Sequence, residues 1–394
     1  MKRMILVIFS LWLLTGCWSN REINDTSIVH GVGFDKSDDK THFSFEIIKP
    51  GGESSEQGGG SQSSDQGNAQ QTIILEETRD TFLDAARKSI KFTKRRLDFG
   101  HTKTWIISED LAKENFIRIL DPIRRDQMFR LNSHIFITTD NPTDILNTPT
   151  FYEELVSLEL ASSLNQTKYV ADFAPITMRE FYRLLEGPLL SAYIPIIYLT
   201  EMSNQKITAI DGTAVINKDR MVGKLDSLET AGLNILLNNI NGGSIQVILA
   251  GDEKVSLEIS NLKTKTIPKL VGNQLEVSIE TEFDGTLADN LTSNTINETF
   301  YKEIEKSVSK EVNHAVRSTL KKLQELKTDI TDIGPKTHRK YPKQWQSIRE
   351  EWHDIFANAN VSIDVDTNVT HQGLINESID LYNKPHNNPY RFSK

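Results

Sequence analysis

Residues 104–125 read TWIISEDLAKENFIRILDPIRR, and this stretch decides the class of fold. Its first five residues are apolar enough to predict a short buried strand. Ser108 then fits the N-cap of a helix through the rest of the stretch, because Glu109 and Asp110 favour the positive end of a helix. Another short strand is predicted at Ile135–Thr138. This alternation of strand and helix indicates an α/β or α+β unit.

Strands and a polar insertion are predicted on the N-terminal side of this unit. Ile28–Phe34 and His42–Ile48 read as a hairpin. Residues 50–71 contain six Gly, five Ser and five Gln but no large apolar side chain, so they cannot bury enough surface to offset their ordering entropy. Because strand-like sequence resumes at Thr72–Leu75, we expect a disordered insertion within one sheet. A flexible linker between domains is the alternative.

Helices are predicted on both sides of residues 104–125. Thr78–Phe92 has helical spacing and is followed by the basic triplet Lys94-Arg95-Arg96. This triplet suggests binding of phosphate or lipid headgroups, but a solvated turn is the simpler interpretation. Residues 151–187 are predicted to be helical. Two helix starts carry a capping box, formed by Thr177 with Glu180 and by Asp226 with Glu229.

The C-terminal part of the chain combines strands with one long helix. A hairpin is predicted at Ile207–Leu225, and further strands are predicted through Phe283. Thr295 and Glu298 are expected to cap the long helix. Its apolar residues recur every three or four positions, at Phe300, Ile304, Val308, Val312, Val316, Leu320 and Leu323. A single apolar stripe favours a helix that covers a sheet over a coiled-coil partner. An aromatic helix and a strand at Val361–Val369 close the chain.

Composition excludes several classes of protein. The 394 residues are 38% hydrophobic and 25% charged, which is ordinary for a globular protein and too polar for a multi-span membrane protein. The formal net charge of −9 argues against a nucleic-acid-binding protein, which would carry a basic excess. The single cysteine cannot form an intramolecular disulfide or a CxxC metal or redox pair.

The N-terminus gives that cysteine a predicted role. Residues 1–16, MKRMILVIFSLWLLTG, have the basic start and short apolar run of a signal peptide. The following Leu14-Thr15-Gly16-Cys17 resembles the lipobox of bacterial lipoproteins, in which the cysteine thiol carries diacylglycerol and the freed amine is acylated. A plain secretory signal is the alternative. Since cleavage would remove two basic residues, the mature chain would carry a net charge of −11, and we expect lipid rather than a basic patch to anchor it.

The sequence contains no motif that requires an enzyme. Nine histidines are scattered without HxxxH or HExxH spacing, and no GxSxG, Walker or GxGxxG sequence is present. Neighbouring acidic residues such as Glu153 and Glu154 point about 100° apart on a helix, so they do not form an acid/base pair. We therefore expect no catalytic residues, no metal site and no cofactor.

Several segments, taken in order, resemble the Ger(x)C family, the lipoprotein C subunits of spore germinant receptors. The segments that carry the resemblance are Cys17–Asn24, Gly100-His101-Thr102-Lys103, Ile106–Glu109, Arg125-Asp126, Asp211–Ile216, Met221–Leu225, Thr328-Asp329-Ile330, Gly334, Trp345 and Trp352. The resemblance implies an α+β fold with mixed sheets covered by helices and two to three domains. We expect an N-terminal domain over residues 17–200, containing the insertion, and a C-terminal region over residues 205–385 that divides once more if there are three domains.

The resemblance also implies a function. The chain would be a non-enzymatic subunit anchored on the outer face of the spore inner membrane, beside an A-type and a B-type membrane subunit, in a complex that responds to nutrients. Candidate partner contacts are Asp211 and Gly212 in the predicted hairpin, and Trp345 and Trp352 in the last helix. The alternatives are a strand irregularity at Gly212 and a core position for both tryptophans. A solute-binding lipoprotein of a transporter and a lipid-anchored hydrolase are the rival functions.

Overall fold

The computed structural model describes residues 25–48, 72–168, 170–240, 242–249, 253–272, 274–292 and 297–370. Within these ranges, two mixed β-sheets are covered by helices, so the predicted α+β class is confirmed. The predicted signal peptide, Cys17, the insertion at 50–71 and the end of the C-terminal region at 371–385 lie outside the described residues.

The described strands are β1 (Thr26–Ser37), β2 (Lys40–Ile48), β3 (Thr72–Arg79), β4 (Arg96–Asp98), β5 (Thr104–Ser108), β6 (His134–Thr138), β7 (Ser191–Met202), β8 (Gln205–Asn217), β9 (Arg220–Leu225), β10 (Ser244–Ile248), β11 (Lys254–Val271), β12 (Gln274–Asn290) and β13 (Asn360–Thr370). The described α-helices are α1 (Phe82–Lys88), α2 (Ile90–Thr93), α3 (Glu109–Ala112), α4 (Ile117–Arg125), α5 (Pro142–Leu146), α6 (Val156–Ser163), α7 (Met178–Leu185), α8 (Ser227–Leu237), α9 (Glu298–Glu325), α10 (Ile333–Lys340), α11 (Pro342–Ile348) and α12 (Trp352–Ala357). A short 3-10 helix follows α6 at Leu164–Lys168.

The first sheet has the strand order β3-β2-β1-β5-β6-β7-β8-β9, and β4 pairs with the start of β1. Its four middle strands, β1, β5, β6 and β7, are parallel to one another, while antiparallel strands extend both edges. All five residues of β5 are buried, as expected for a parallel strand covered on both faces. The strands that flank residues 49–71 are antiparallel neighbours, which confirms an insertion within one sheet.

Helices cover both faces of this sheet because its middle strands are apolar on both sides. Trp105 and Ile107 pack into an aromatic-rich core with α1, α3, α4 and α7. Ile106, which points to the opposite face, packs with α5 and α6. The result is a three-layer arrangement of helix, sheet and helix.

Two predicted helices are interrupted in the structure. The helix expected after Ser108 is divided into α3 and α4, because the turn between them places Phe116 in the core against Phe181. The predicted N-cap is confirmed, since the Ser108 hydroxyl accepts a hydrogen bond from Leu111 N–H. Residues 151–187 likewise form α6, the short 3-10 helix and α7 rather than continuous helix. The capping box at Thr177 and Glu180 is present at the start of α7.

The second sheet has the order β10-β11-β12-β13 and is built around the long hairpin of β11 and β12. Helix α9, 28 residues long, buries its entire predicted stripe against this sheet and α8, so a helix that covers a sheet is confirmed. Its N-cap is Asn297, whose side chain accepts a hydrogen bond from Phe300 N–H at 2.9 Å. Thr295, the predicted cap, lies outside the described residues, and the N-cap observed at Asn297 corrects that prediction.

The first sheet continues beyond the division that the sequence predicts near residue 205. Strands β8 and β9 extend it from β7 to Leu225, and the chain reaches the second sheet only after α8. Val215 and Leu225 of the first sheet share a core cluster with side chains of the second sheet. Helix α8, which contacts β8 and β11, therefore links the two sheets through one shared core.

Candidate functional sites

A buried carboxylate organises the segment that follows α9. One oxygen of Asp329 accepts hydrogen bonds from the N–H and hydroxyl of Thr331, at 2.8 and 2.6 Å. Its other oxygen accepts from Gly334 N–H at 2.8 Å and from the indole Nε1–H of Trp352 at 3.1 Å. Burial nonetheless raises the pKa of this carboxyl to about 6. One side chain thus ties the start of α10 to the start of α12.

The two candidate tryptophans lie in this same buried cluster. Trp345 and Trp352 are 3% and 1% exposed, and their ring centroids are 4.8 Å apart. His338 stacks on the other tryptophan, Trp345, at 5.2 Å. Both rings are therefore core residues, as in the alternative interpretation of the sequence, and they offer almost no exposed surface.

A cavity of ≈ 550 Å³ lies beside the Asp329 cluster, between the first sheet and the C-terminal helices. Its lining includes Glu180 and Arg183 of α7 together with Asp332 and Arg339, so charges of both signs face the cavity. Tyr193 also lines the cavity, and burial raises the pKa of its hydroxyl to about 12. Charged side chains of both signs can bind a small polar molecule through ion pairs and hydrogen bonds.

The candidate residues Asp211 and Gly212 form a β-bulge in β8, where two residues oppose one residue of β7. Gly212 has φ +80°, and a Cβ there would lie 2.8 Å from the carbonyl oxygen of Leu225. Its N–H donates to the carbonyl of Asp172, and the Asp211 carboxylate accepts a hydrogen bond from the Ser227 hydroxyl. Gly212 therefore has the structural role of a strand irregularity.

Sequence reasoning missed a second buried carboxylate, Glu46 of β2. Its two oxygens accept hydrogen bonds from the N–H groups of Val156 and Ser157, at 2.9 and 3.3 Å, at the start of α6. The side chain is fully buried, and this burial raises its pKa to about 7. The available signal was one charged residue between the apolar Phe45 and Ile47.

The raised pKa of Glu46 predicts a pH-dependent stability. Between about pH 4.5 and pH 7 the folded state holds the proton more tightly than the unfolded state, so the free energy of unfolding falls as pH rises. Glu46→Gln lacks this titration. As pH rises across this window, the free energy of unfolding of the parent protein should fall by about 3 kcal/mol relative to that of Glu46→Gln. Urea unfolding at each pH measures this difference. Glu303→Gln, an exposed change on α9, is the matched control, and a pH-independent difference for Glu46→Gln would refute the prediction.

Two further properties concern metals and membranes. Among the described residues, no group of three or more His, Cys, Asp or Glu side chains is placed to hold a metal ion. Over the same ranges, each helix is too short or too polar to cross a bilayer. Cys17, the predicted lipidation site, precedes the first described residue, Asp25, by eight positions.

Comparison with known families gives two matches in tandem. The family model described as "Spore germination protein N-terminal domain" matches residues 19–199. The model described as "Spore germination B3/ GerAC like, C-terminal" matches residues 211–373. Together the two models span most of the chain, in the order in which their descriptions place them.

Individual relatives match over nearly their full lengths. Spore germination protein KC of Bacillus subtilis (strain 168) is 25% identical, over 95% of this chain and 96% of that protein. Spore germination protein A3 of the same organism is 28% identical, over 94% of this chain and 97% of that protein. Spore germination protein GerQC of Bacillus cereus is 22% identical, over 95% and 99%.

A solved structure shares the fold. The crystal structure of the GerBC protein superposes with a TM-score of 0.54 over 86% of this chain and 96% of that chain, at 19% sequence identity.

Proposed function

This chain belongs to the Ger(x)C family of spore germination proteins, and we propose that it is the lipid-anchored C subunit of a spore germinant receptor. The observation that carries the proposal is the match of both family models, in order, across residues 19–199 and 211–373. Nutrient-triggered germination would depend on its assembly with an A-type and a B-type membrane subunit.

The proposed role is non-enzymatic and depends on a membrane anchor. Residues 1–16 are removed, the Cys17 thiol receives diacylglycerol, and the new amine receives a further acyl chain such as palmitate. Two or more acyl chains hold a globular body firmly on the outer face of the spore inner membrane. Confinement there raises the effective concentration of the chain near its membrane partners, so modest interfaces suffice for assembly.

The surface beside Asp211 is the better candidate for a partner contact. Val170 and Leu228 are each 39% exposed and border a cavity of ≈ 420 Å³. Asp172 also lines this cavity, and its pKa is raised by burial and by the nearby Asp211 carboxylate. An apolar surface with acidic groups suits a partner segment that carries apolar and basic side chains.

The alternative function is a solute-binding lipoprotein of a transporter. The cavity beside Asp329 supplies polar side chains for such a role. A protein of that kind, however, encloses its solute between two similar α/β lobes. Here the described sheets differ in size and topology, with a parallel centre in the first and a long antiparallel hairpin in the second, which favours the receptor subunit.

The proposal is tested in spores that lack the gene and express either the parent chain or Cys17→Ala. We expect the parent to restore germination to a responding nutrient, and Cys17→Ala to lower the rate by at least about tenfold because the tether is lost. Membrane fractionation and the mass of the N-terminal peptide report lipidation directly. A variant that sediments fully with membranes and germinates normally would refute the tether. A deletion strain that responds normally to every nutrient, after other receptors are also deleted, would refute the receptor role.

A further inference from the structure

A basic segment runs from the end of α1 to the start of β4. Residues 87–96 contain six basic side chains and no acidic one, namely Arg87, Lys88, Lys91, Lys94, Arg95 and Arg96. All are exposed except the half-buried Arg95. In the described part of the chain, none of the six forms an ion pair with a carboxylate. The nearby Arg79, by contrast, contacts Glu77 and Asp84. The basic segment therefore presents uncompensated charge on a protein that is acidic overall.

Exposed apolar side chains accompany this charge. Phe92 is 65% exposed, and Ile90 and Leu83 are 38% and 49% exposed. Phe92 and Ile90 lie within the basic segment, on the short helix α2. Aromatic and aliphatic side chains beside cations are typical of surfaces that rest at the boundary between lipid headgroups and acyl chains. A solvated turn, the simpler interpretation of the triplet, gives no reason for a phenylalanine at this position.

The basic segment is also adjacent to the start of the described chain. Strand β4 pairs in parallel with the first residues of β1, with Thr26 opposite Arg96. Cys17 lies nine positions before Thr26, a distance that extended chain spans in at most about 30 Å. A lipid on Cys17 would thus hold the membrane surface within reach of the cations at residues 94–96.

We propose that residues 83–96 form a second membrane contact, which docks on an anionic phospholipid surface. The cations pair with lipid phosphates while Phe92 enters the interface, and this contact fixes the orientation of the first sheet on the membrane. The orienting effect rests on the proposed lipid tether, whereas the affinity for lipid belongs to the described residues alone. The sequence favours lipid over a basic patch as the anchor; in this proposal the basic segment adds to the lipid.

The test uses the full mature chain, residues 17–394, with Cys17→Ser so that no lipid is attached. Co-sedimentation is measured with vesicles of phosphatidylglycerol and, separately, of phosphatidylcholine. We expect binding to the anionic vesicles only, and weaker binding at high salt. Since each basic residue near an anionic surface contributes about fivefold in affinity, Lys91→Glu, Lys94→Glu and Arg96→Glu together should lower it by at least about 100-fold. Phe92→Ser should lower it severalfold.

The matched control is Lys306→Glu, Lys310→Glu and Lys321→Glu, three exposed changes on α9 with the same effect on net charge. This control should bind like the parent. Equal binding to both kinds of vesicle, or unchanged binding by the basic-segment variant, would overturn the proposal. So would binding to an acidic peptide without binding to vesicles, which would assign the segment to a protein partner. Because the assay contains no lipidated cysteine, its result is independent of the Cys17 proposal.

Discussion

Asp329→Ala is expected to lower the free energy of unfolding by about 3–5 kcal/mol. The carboxylate accepts four hydrogen bonds in the core, from two donors on Thr331, the N–H of Gly334 and the indole of Trp352. Alanine removes every acceptor and leaves buried donors without partners. Urea unfolding followed by tryptophan fluorescence measures the loss, because the indole of Trp352 reports directly on this cluster.

Two further variants serve as comparisons for Asp329→Ala. Asp329→Asn keeps the shape of the side chain but turns an amide N–H₂ toward one pair of donors. Its stability should therefore lie between that of the parent and that of Asp329→Ala. Asp332→Ala, at a half-exposed side chain three residues away, should change stability by less than about 0.5 kcal/mol. Equal effects of Asp329→Ala and Asp332→Ala would show that the buried network does not stabilise the fold.

Gly232→Ala is expected to destabilise the protein by about 3 kcal/mol, although the same change in an exposed helix stabilises it by about 1 kcal/mol. Gly232 lies inside α8, where this helix packs on α9. An added Cβ would overlap the Thr319 hydroxyl and the backbone carbonyl of Ala315. Thr319 cannot turn aside freely, because its hydroxyl donates to the Glu229 carbonyl across the helix contact. The helices must therefore separate.

Gly272→Ala is the control for the loss of a glycine. Gly272 has φ +62°, and no atom of the described residues lies within 4 Å of an added Cβ, so the left-handed backbone is what opposes the change. We expect a cost of about 1 kcal/mol. Thermal and urea unfolding of both variants should place Gly232→Ala well below Gly272→Ala in stability. A stabilised Gly232→Ala protein would mean that α8 and α9 are not packed this closely.

The elements that the sequence predicted well are those with local signals. The buried strand at 104–108, the capping boxes at Thr177 and Asp226, and the apolar stripe of α9 each depend on residues close together in the chain. The continuity of β7 with β8 and β9 could not be predicted in this way, because strand pairing depends on contacts that spacing does not encode. The break after α3 escaped prediction for a similar reason, since burial of Phe116 against Phe181 is a tertiary effect.

The candidate sites likewise depend on contacts between residues that are distant in the sequence. Asp329 was noticed only through the family resemblance, because its donor Trp352 is 23 residues away. Glu46 was missed altogether, since it binds the start of a helix 110 residues downstream. The basic triplet was visible in the sequence, but its position beside Thr26 depends on the pairing of β4 with β1. The sequence thus shows which residue types are present, but it does not show which distant residues meet in the fold.

The pairing of β1 has a mechanical consequence for a protein held by its N-terminus. Strand β1 lies inside the first sheet, with β2 on one side and β4 and β5 on the other. If the proposed lipid on Cys17 holds the N-terminus, a pull along the axis of β1 would load its hydrogen bonds to β2, β4 and β5 in shear. Such a load would be shared by several strands of the first sheet and would not fall on a single edge pair.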